Sequence, residues 1–160
     1  MNSLTLSWGK EMSNNSEVDL CVSVYMRIKT FLKQKDKYPE NVCEILAAQA
    51  TNSFMSRTQT IKNEKRKLKL ADSPEMKKII DHAIKTIPGL SDSVIKMYLN
   101  IKLYVKQQTT YSMNKCEYLA ADVLGSIMKR TANEGLDESA FAEFLANKHP
   151  SEYLDISELI

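Results

Sequence analysis

Apolar residues recur at helical spacing through most of the chain. Leu20, Val24, Ile28 and Leu32 step by four, with Tyr25 and Phe31 beside them, and predict one amphipathic helix. Ser16 and Asp19 have the spacing of a capping box at its start. Pro39 suits the first position of a second helix, with Glu40 and Glu44 near its positive dipole end. Val42, Leu46, Ala50 and Phe54 form its stripe, flanked by Ile45 and Met55. Beyond Arg57 the stripe thins, and Lys62, Lys65, Arg66, Lys67 and Lys69 predict a solvent-exposed helical extension. Residues 71–75, with Ser73 as cap and Pro74 as first position, read as a linker.

Met76, Ile79, Ile80, Ala83, Ile84 and Ile87 make a compact apolar face that Pro88-Gly89 stops. Ser91 restarts a helix through Val94, Ile95, Tyr98 and Leu99, and a separate short helix covers Leu103–Gln108. After the turn Thr109–Ser112, a long helix runs from Met113 to Arg130, with Cys116, Leu119, Ala120, Val123, Leu124, Ile127 and Met128 on its stripe. Asn133-Glu134-Gly135 ends it. Asp137 caps a last helix through Phe141, Phe144 and Leu145, stopped at His149-Pro150, and the tail makes one more turn. The polar residues 1–15, with Trp8, read as an arm or a short packed turn. No internal repeat and no low-complexity segment is expected.

Composition agrees with an all-α fold. Only 4 Gly and 4 Pro are present, too few for the turns of an all-β chain. Hydrophobic residues at 43% and charged residues at 26% describe a globular protein. Its 160 residues hold one ordinary domain or two small ones. Charge divides the chain. Asp19–Lys69 carries 11 Lys/Arg against 5 Asp/Glu, whereas residues 131–160 carry one Lys and 7 acids. A basic helical surface suits a polyanion; the bland reading of both segments is a solvated face. Cys21, Cys43 and Cys116 form no CxxC pair and lie on apolar stripes, so buried thiols in a reducing cytoplasm are expected. No apolar run reaches membrane-spanning length, so no membrane partner is expected. His82 and His149 have no metal-ligand spacing around them, and no nucleophile arrangement or phosphate loop is present. Neither catalysis, a metal nor a cofactor is expected.

Four segments in order resemble the extracytoplasmic-function (ECF) sigma factors of RNA polymerase. Asp19–Leu32 resembles the family's core-polymerase-binding helix, matching at Asp19, Leu20, Val24, Arg27 and Ile28. Ile45–Gln59 resembles its next helix, at Ala50, Asn52, Phe54, Met55 and Arg57, with Lys62–Lys69 as the basic run. Ala83–Leu99 resembles the opening of the C-terminal domain, and Val105–Leu124 its helix-turn-helix. Together they cover about two thirds of the chain, as a reduced or divergent member.

The resemblance implies two small helical domains joined by a short linker: residues 1–70 for polymerase and the −10 element, and 71–130 for the −35 element. Residues 131–160 become an acidic helical extension. It implies RNA polymerase core and promoter DNA as partners, with a further protein partner through the acidic segment. Asp19, Leu20 and Arg27 would face polymerase. Asn52, Arg57, Lys62, Lys65, Arg66 and Lys67 would hold melted single-stranded DNA. Ser112, Asn114 and Lys115 would meet the major groove. The alternative is a non-enzymatic helical protein–protein interaction module: an inhibitor, immunity or adaptor protein. Under it, Asp19 only caps its helix and the lysines are solvated.

Overall fold

The computed structural model describes residues 15–85, 87 and 89–159. The expectations for the N-terminal arm with Trp8, and for Pro88, lie outside them. The described residues are helical, without a strand. The elements are α1 (Asn15–Gln34), α2 (Glu40–Arg57), α3 (Glu64–Ala71), α4 (Pro74–Lys85), α5 (Asp92–Gln108), α6 (Met113–Asn133) and α7 (Glu138–Ala146), then 3-10 turns at Pro150–Glu152 and Ile156–Glu158.

The chain divides into two compact units, Ser16–Gly89 and one holding Leu90–Ile160. The boundary is therefore not at Ala71–Pro74. Ala71 is buried there. The Ser73 hydroxyl donates to the Leu70 carbonyl at 2.8 Å and accepts from the Met76 amide at 3.1 Å. This tight turn folds α4 back onto α3 and α2 inside the first unit.

In the first unit the buried stripe of α1 is Val24, Tyr25, Ile28 and Leu32, as its periodicity predicts. The helix is already running at Asn15, so Ser16 lies within it instead of capping it. Asp36, at φ 50°, turns the chain toward Pro39, which stands just before α2 as its N-cap. The expected basic extension of α2 does not form. Buried Thr58 is the C-cap of α2, and its hydroxyl donates to the Phe54 carbonyl at 2.8 Å. Asn63 then caps a separate α3 by accepting from the Arg66 amide.

In the second unit, Ser91 caps α5 by accepting from the Val94 amide. The helix runs unbroken to Gln108, so the two short helices expected here are one. Val94, Met97, Tyr98, Ile101 and Val105 are buried along it. Four residues, Thr109–Ser112, connect it to α6, and the two helices pack together as a hairpin. Gly135, at φ 72°, supplies the left-handed residue after α6. Residues 131–160 are integral to this unit. Ala142, Leu145, Ala146 and Leu154 are buried, Asn100 donates to the Ala146 carbonyl at 3.1 Å, and the Tyr111 hydroxyl donates to the Leu159 carbonyl at 2.9 Å.

The two units are copies of one another, contrary to the expectation of no repeat. Asp19–Thr58 aligns with Asp92–Thr131 without a gap, and 17 of the 40 positions are identical. The clearest stretch is Cys43-Glu44-Ile45-Leu46-Ala47-Ala48 against Cys116-Glu117-Tyr118-Leu119-Ala120-Ala121. All twelve are buried. Local geometry repeats with them. The Cys43 thiol reaches the Tyr38 carbonyl at 3.6 Å and the Cys116 thiol the Tyr111 carbonyl at 3.8 Å. The Thr131 hydroxyl donates to the Ile127 carbonyl at 2.8 Å, as Thr58 does to Phe54. Lys29 lies 5.2 Å from the centre of the Tyr25 ring and Lys102 lies 5.3 Å from that of Tyr98. After the copied hairpin each unit adds a short helix capped by Asn63 or Asp137, then an element opened by Pro74 or Pro150. Only in the first unit does that element grow into a full helix, α4.

Candidate functional site

The residues implied for polymerase binding are used within the first unit. Asp19 is exposed and Leu20 half-buried on α1. The Arg27 guanidinium donates to Asp72 at 3.2 Å and to the Ser23 carbonyl at 3.1 Å. It thereby braces α1 against the end of α3, at an exposed pair contributing on the order of 1 kcal/mol or less. Of the residues implied for single-stranded DNA, Asn52, Arg57, Lys62, Lys65 and Arg66 are exposed, whereas Lys67 is buried. Thr58–Asn63 separates Arg57 on α2 from the lysines of α3.

Ser112, Asn114 and Lys115 stand at the start of α6. The Ser112 hydroxyl caps it by accepting from the Lys115 amide at 3.3 Å. Lys115 lies over the Tyr111 ring, 3.9 Å from its centre. Immediately beyond, six consecutive residues from Cys116 to Ala121 are buried. A helix that enters a DNA groove needs a solvent-facing side; over this stretch α6 has none and is a packing helix.

The duplication bears directly on the resemblance to sigma factors. Val105–Leu124, the segment like a helix-turn-helix, is the copy of Leu32–Thr51, which spans the core-binding and −10 segments. Ala83–Leu99 runs from the end of one copy into the next.

Two clefts are lined by side chains within a single unit. In the first unit, a cleft of about 560 Å³ is lined by Ser53, Arg57, Lys78, Ile79, His82 and Ala83. Arg57 is the one residue here that the sequence singled out. Lys78 stands in no motif and His82 has no metal-ligand spacing around it; both come from α4, and no local pattern links them to α2. In the second unit, a cleft of about 340 Å³ lies beside α5 and the Ala146–Pro150 segment. Its polar groups are engaged with each other: Lys96 with Asn147 at 3.1 Å, and His149 with Ser151 at 2.7 Å and with the edge of Tyr104.

A third feature is the outer side of α7. Ala142, Leu145 and Ala146 pack inward, while Ala140 and Phe144 lie four apart along solvent, with exposed Leu136 just ahead of the Asp137 cap. Leu136 is 45% and Phe144 57% exposed. The Phe141 and Phe144 rings are neighbours at 6.5 Å, and Lys148 lies over Phe144 at 4.9 Å. Glu138 and Glu143 are exposed on the same helix.

Among the described residues no group of three His, Cys, Asp or Glu is placed to hold a metal ion, and no helix is long and apolar enough to cross a membrane. No family model, curated protein or solved structure matches the chain.

The three cysteines are free and buried, as their stripe positions suggest. Burial pushes the Cys43 and Cys116 thiols above the ordinary value of 9.0; Lys33 opposes this at Cys43, and the Thr109 hydrogen bond at Cys116. The folded protein therefore keeps these protons at pH values where the unfolded chain has lost them, and stability falls as pH rises past about 9. Tyr153, pushed up to about 12 by burial, acts in the same direction at higher pH. Urea midpoints at about pH 8 and about pH 10 are expected to differ, and C43A/C116A to shrink that difference. An unchanged difference in the double variant places the alkaline loss elsewhere.

Proposed function

We propose that the chain is a non-enzymatic helical protein–protein interaction module that docks a partner on the outer face of α7. The observation that carries this reading is the exposed apolar face of Ala140 and Phe144, beside Phe141, on a helix whose other side is packed, with exposed Leu136 just ahead of its Asp137 cap. Apolar residues aligned on a solvent face mark docking sites, and large aromatics are the usual anchors. Residues 131–160 carry 7 acids against one Lys, so the complementary partner is an amphipathic helix with basic flanks.

A photo-crosslinking side chain placed at Phe144 is expected to capture one predominant protein in the source cell, and one placed at Ser56 none. Leu136→Ala and Phe144→Ala are each expected to weaken the purified pair about tenfold or more. Equal labelling from both positions, or binding that survives both substitutions, would sink the reading.

The sigma reading is favoured by the basic surface of the first unit, Lys62, Lys65 and Arg66. It asks the two halves to be unlike domains, whereas they are copies, and so it stands second. Core-polymerase pull-down at low salt followed by promoter-dependent transcription separates the two. Charge reversal at Lys62, Lys65 and Arg66 leaves α7 docking intact under the first reading and abolishes transcription under the second.

A further inference from the structure

The cleft of about 560 Å³ in the first unit holds two fixed positive charges and a histidine, with no carboxylate in its lining. Its side chains are not committed elsewhere. Ser53, Arg57, Lys78 and His82 make no side-chain hydrogen bond or ion pair with other described residues. The nearest acid along α4, Asp81, is already held by Lys35 at 3.2 Å and Lys85 at 3.9 Å. Ile79, 40% exposed, and Ala83 add apolar surface to the same lining.

Comparison of the two copies shows what sets this place apart. Ser53 and Arg57, one turn apart on α2, recur as Ser126 and Arg130 on α6. In the second copy Arg130 is satisfied locally, its Nε donating to Glu134 at 3.2 Å. The first copy has Ile61 at the position of Glu134, which leaves Arg57 open. Lys78 and His82 have no counterpart, because the element opened by Pro150 is a three-residue turn. The copies have thus diverged toward an unpaired cationic cleft in one unit and a neutralised arginine in the other.

We propose that this cleft binds a phosphomonoester of mononucleotide size. Arg57 and Lys78 hold the phosphate, Ser53 and His82 complete its hydrogen bonds, and the organic part lies over Ile79 and Ala83. An arginine fork matches phosphate oxygens and lysine adds a point charge. The volume falls in the range of small-molecule sites. Two like charges lining one cleft repel each other, and a dianion bound between them relieves that repulsion.

Isothermal titration calorimetry of the full chain with adenosine 5′-monophosphate, inorganic phosphate and a short single-stranded DNA tests this. The monophosphate is expected to bind about tenfold tighter than phosphate, R57A and K78A each to weaken it about tenfold or more, and S126A/R130A to leave it unchanged. I79S is expected to lower affinity for the monophosphate but not for phosphate. Monophosphate binding no tighter than phosphate, or insensitive to R57A and K78A, overturns the proposal. So does DNA binding that depends on Lys62, Lys65 and Arg66 in the absence of any monophosphate binding. R57A, K78A and I79S lie in the first unit and α7 in the second, so failure here is distinguishable from failure of partner docking.

Discussion

Tyr25→Ala is expected to destabilise the first unit by about 3–5 kcal/mol, and Tyr98→Ala to do the same to the second. Both side chains are fully buried, at 0% exposure, and occupy the same position in the two copies. Each ring is enclosed within its own unit and carries a lysine over its face. Truncation removes the transfer free energy of the ring and leaves a cavity lined by close-packed neighbours. Two units need not unfold together, so one global midpoint is not enough. Urea denaturation followed by circular dichroism, with amide exchange resolved along the sequence, reads each unit separately. Small domains have total stabilities of only a few kcal/mol, so protection in the mutated unit is expected to collapse while the other persists. A large loss at one tyrosine and a loss under about 1 kcal/mol at the other would mean that the copies do not share a packing scheme.

The helices themselves were largely legible. Stripes at Leu20–Leu32 and Cys116–Met128 announce their buried sides, Ser91 announces a helix start and Asp137 an N-cap. What local periodicity missed was burial on more than one side. Cys43–Ala48 and Cys116–Ala121 are buried at every position, and the paired alanines were the signal that another backbone comes close. The break after α2 leaves no mark in the sequence, since Thr58–Asn63 holds neither glycine nor proline.

The duplication was present in the sequence, but its identities are dispersed. Tyr25, Ile28, Lys29, Lys33 and Gln34 recur as Tyr98, Ile101, Lys102, Lys106 and Gln107 among unlike neighbours. The family-like segment Ala83–Leu99 runs across the boundary between the copies. Ser73-Pro74 has the cap and proline of a domain boundary. It is a turn within the repeat, the counterpart of His149-Pro150, and it offers the same cap and the same first-turn proline. The cleft residues Lys78 and His82 were illegible because their pairing with Arg57 arises only when α4 folds back on α2.

Ala47→Leu and Ala120→Leu test the other half of that packing scheme. Both alanines are at 0% exposure on helices buried over several consecutive residues. Three added carbons have no void to enter, so neighbouring side chains leave their rotamers or the backbones separate. The expected cost is about 1–3 kcal/mol for each. For units of this size that is roughly 4–8 °C of melting temperature per kcal/mol. Ala140→Leu, on the exposed face of α7, is the control and is expected to stay within about 0.5 kcal/mol of the parent. The same pair separates the two proposed activities. Ala47→Leu strains α2, which carries Ser53 and Arg57, and is expected to weaken monophosphate binding while α7 still docks its partner. Ala120→Leu strains α6, against which α7 packs, and is expected to do the reverse. If either substitution abolished both activities equally at a temperature where the other unit keeps its amide protection, the division of labour between the copies would be wrong.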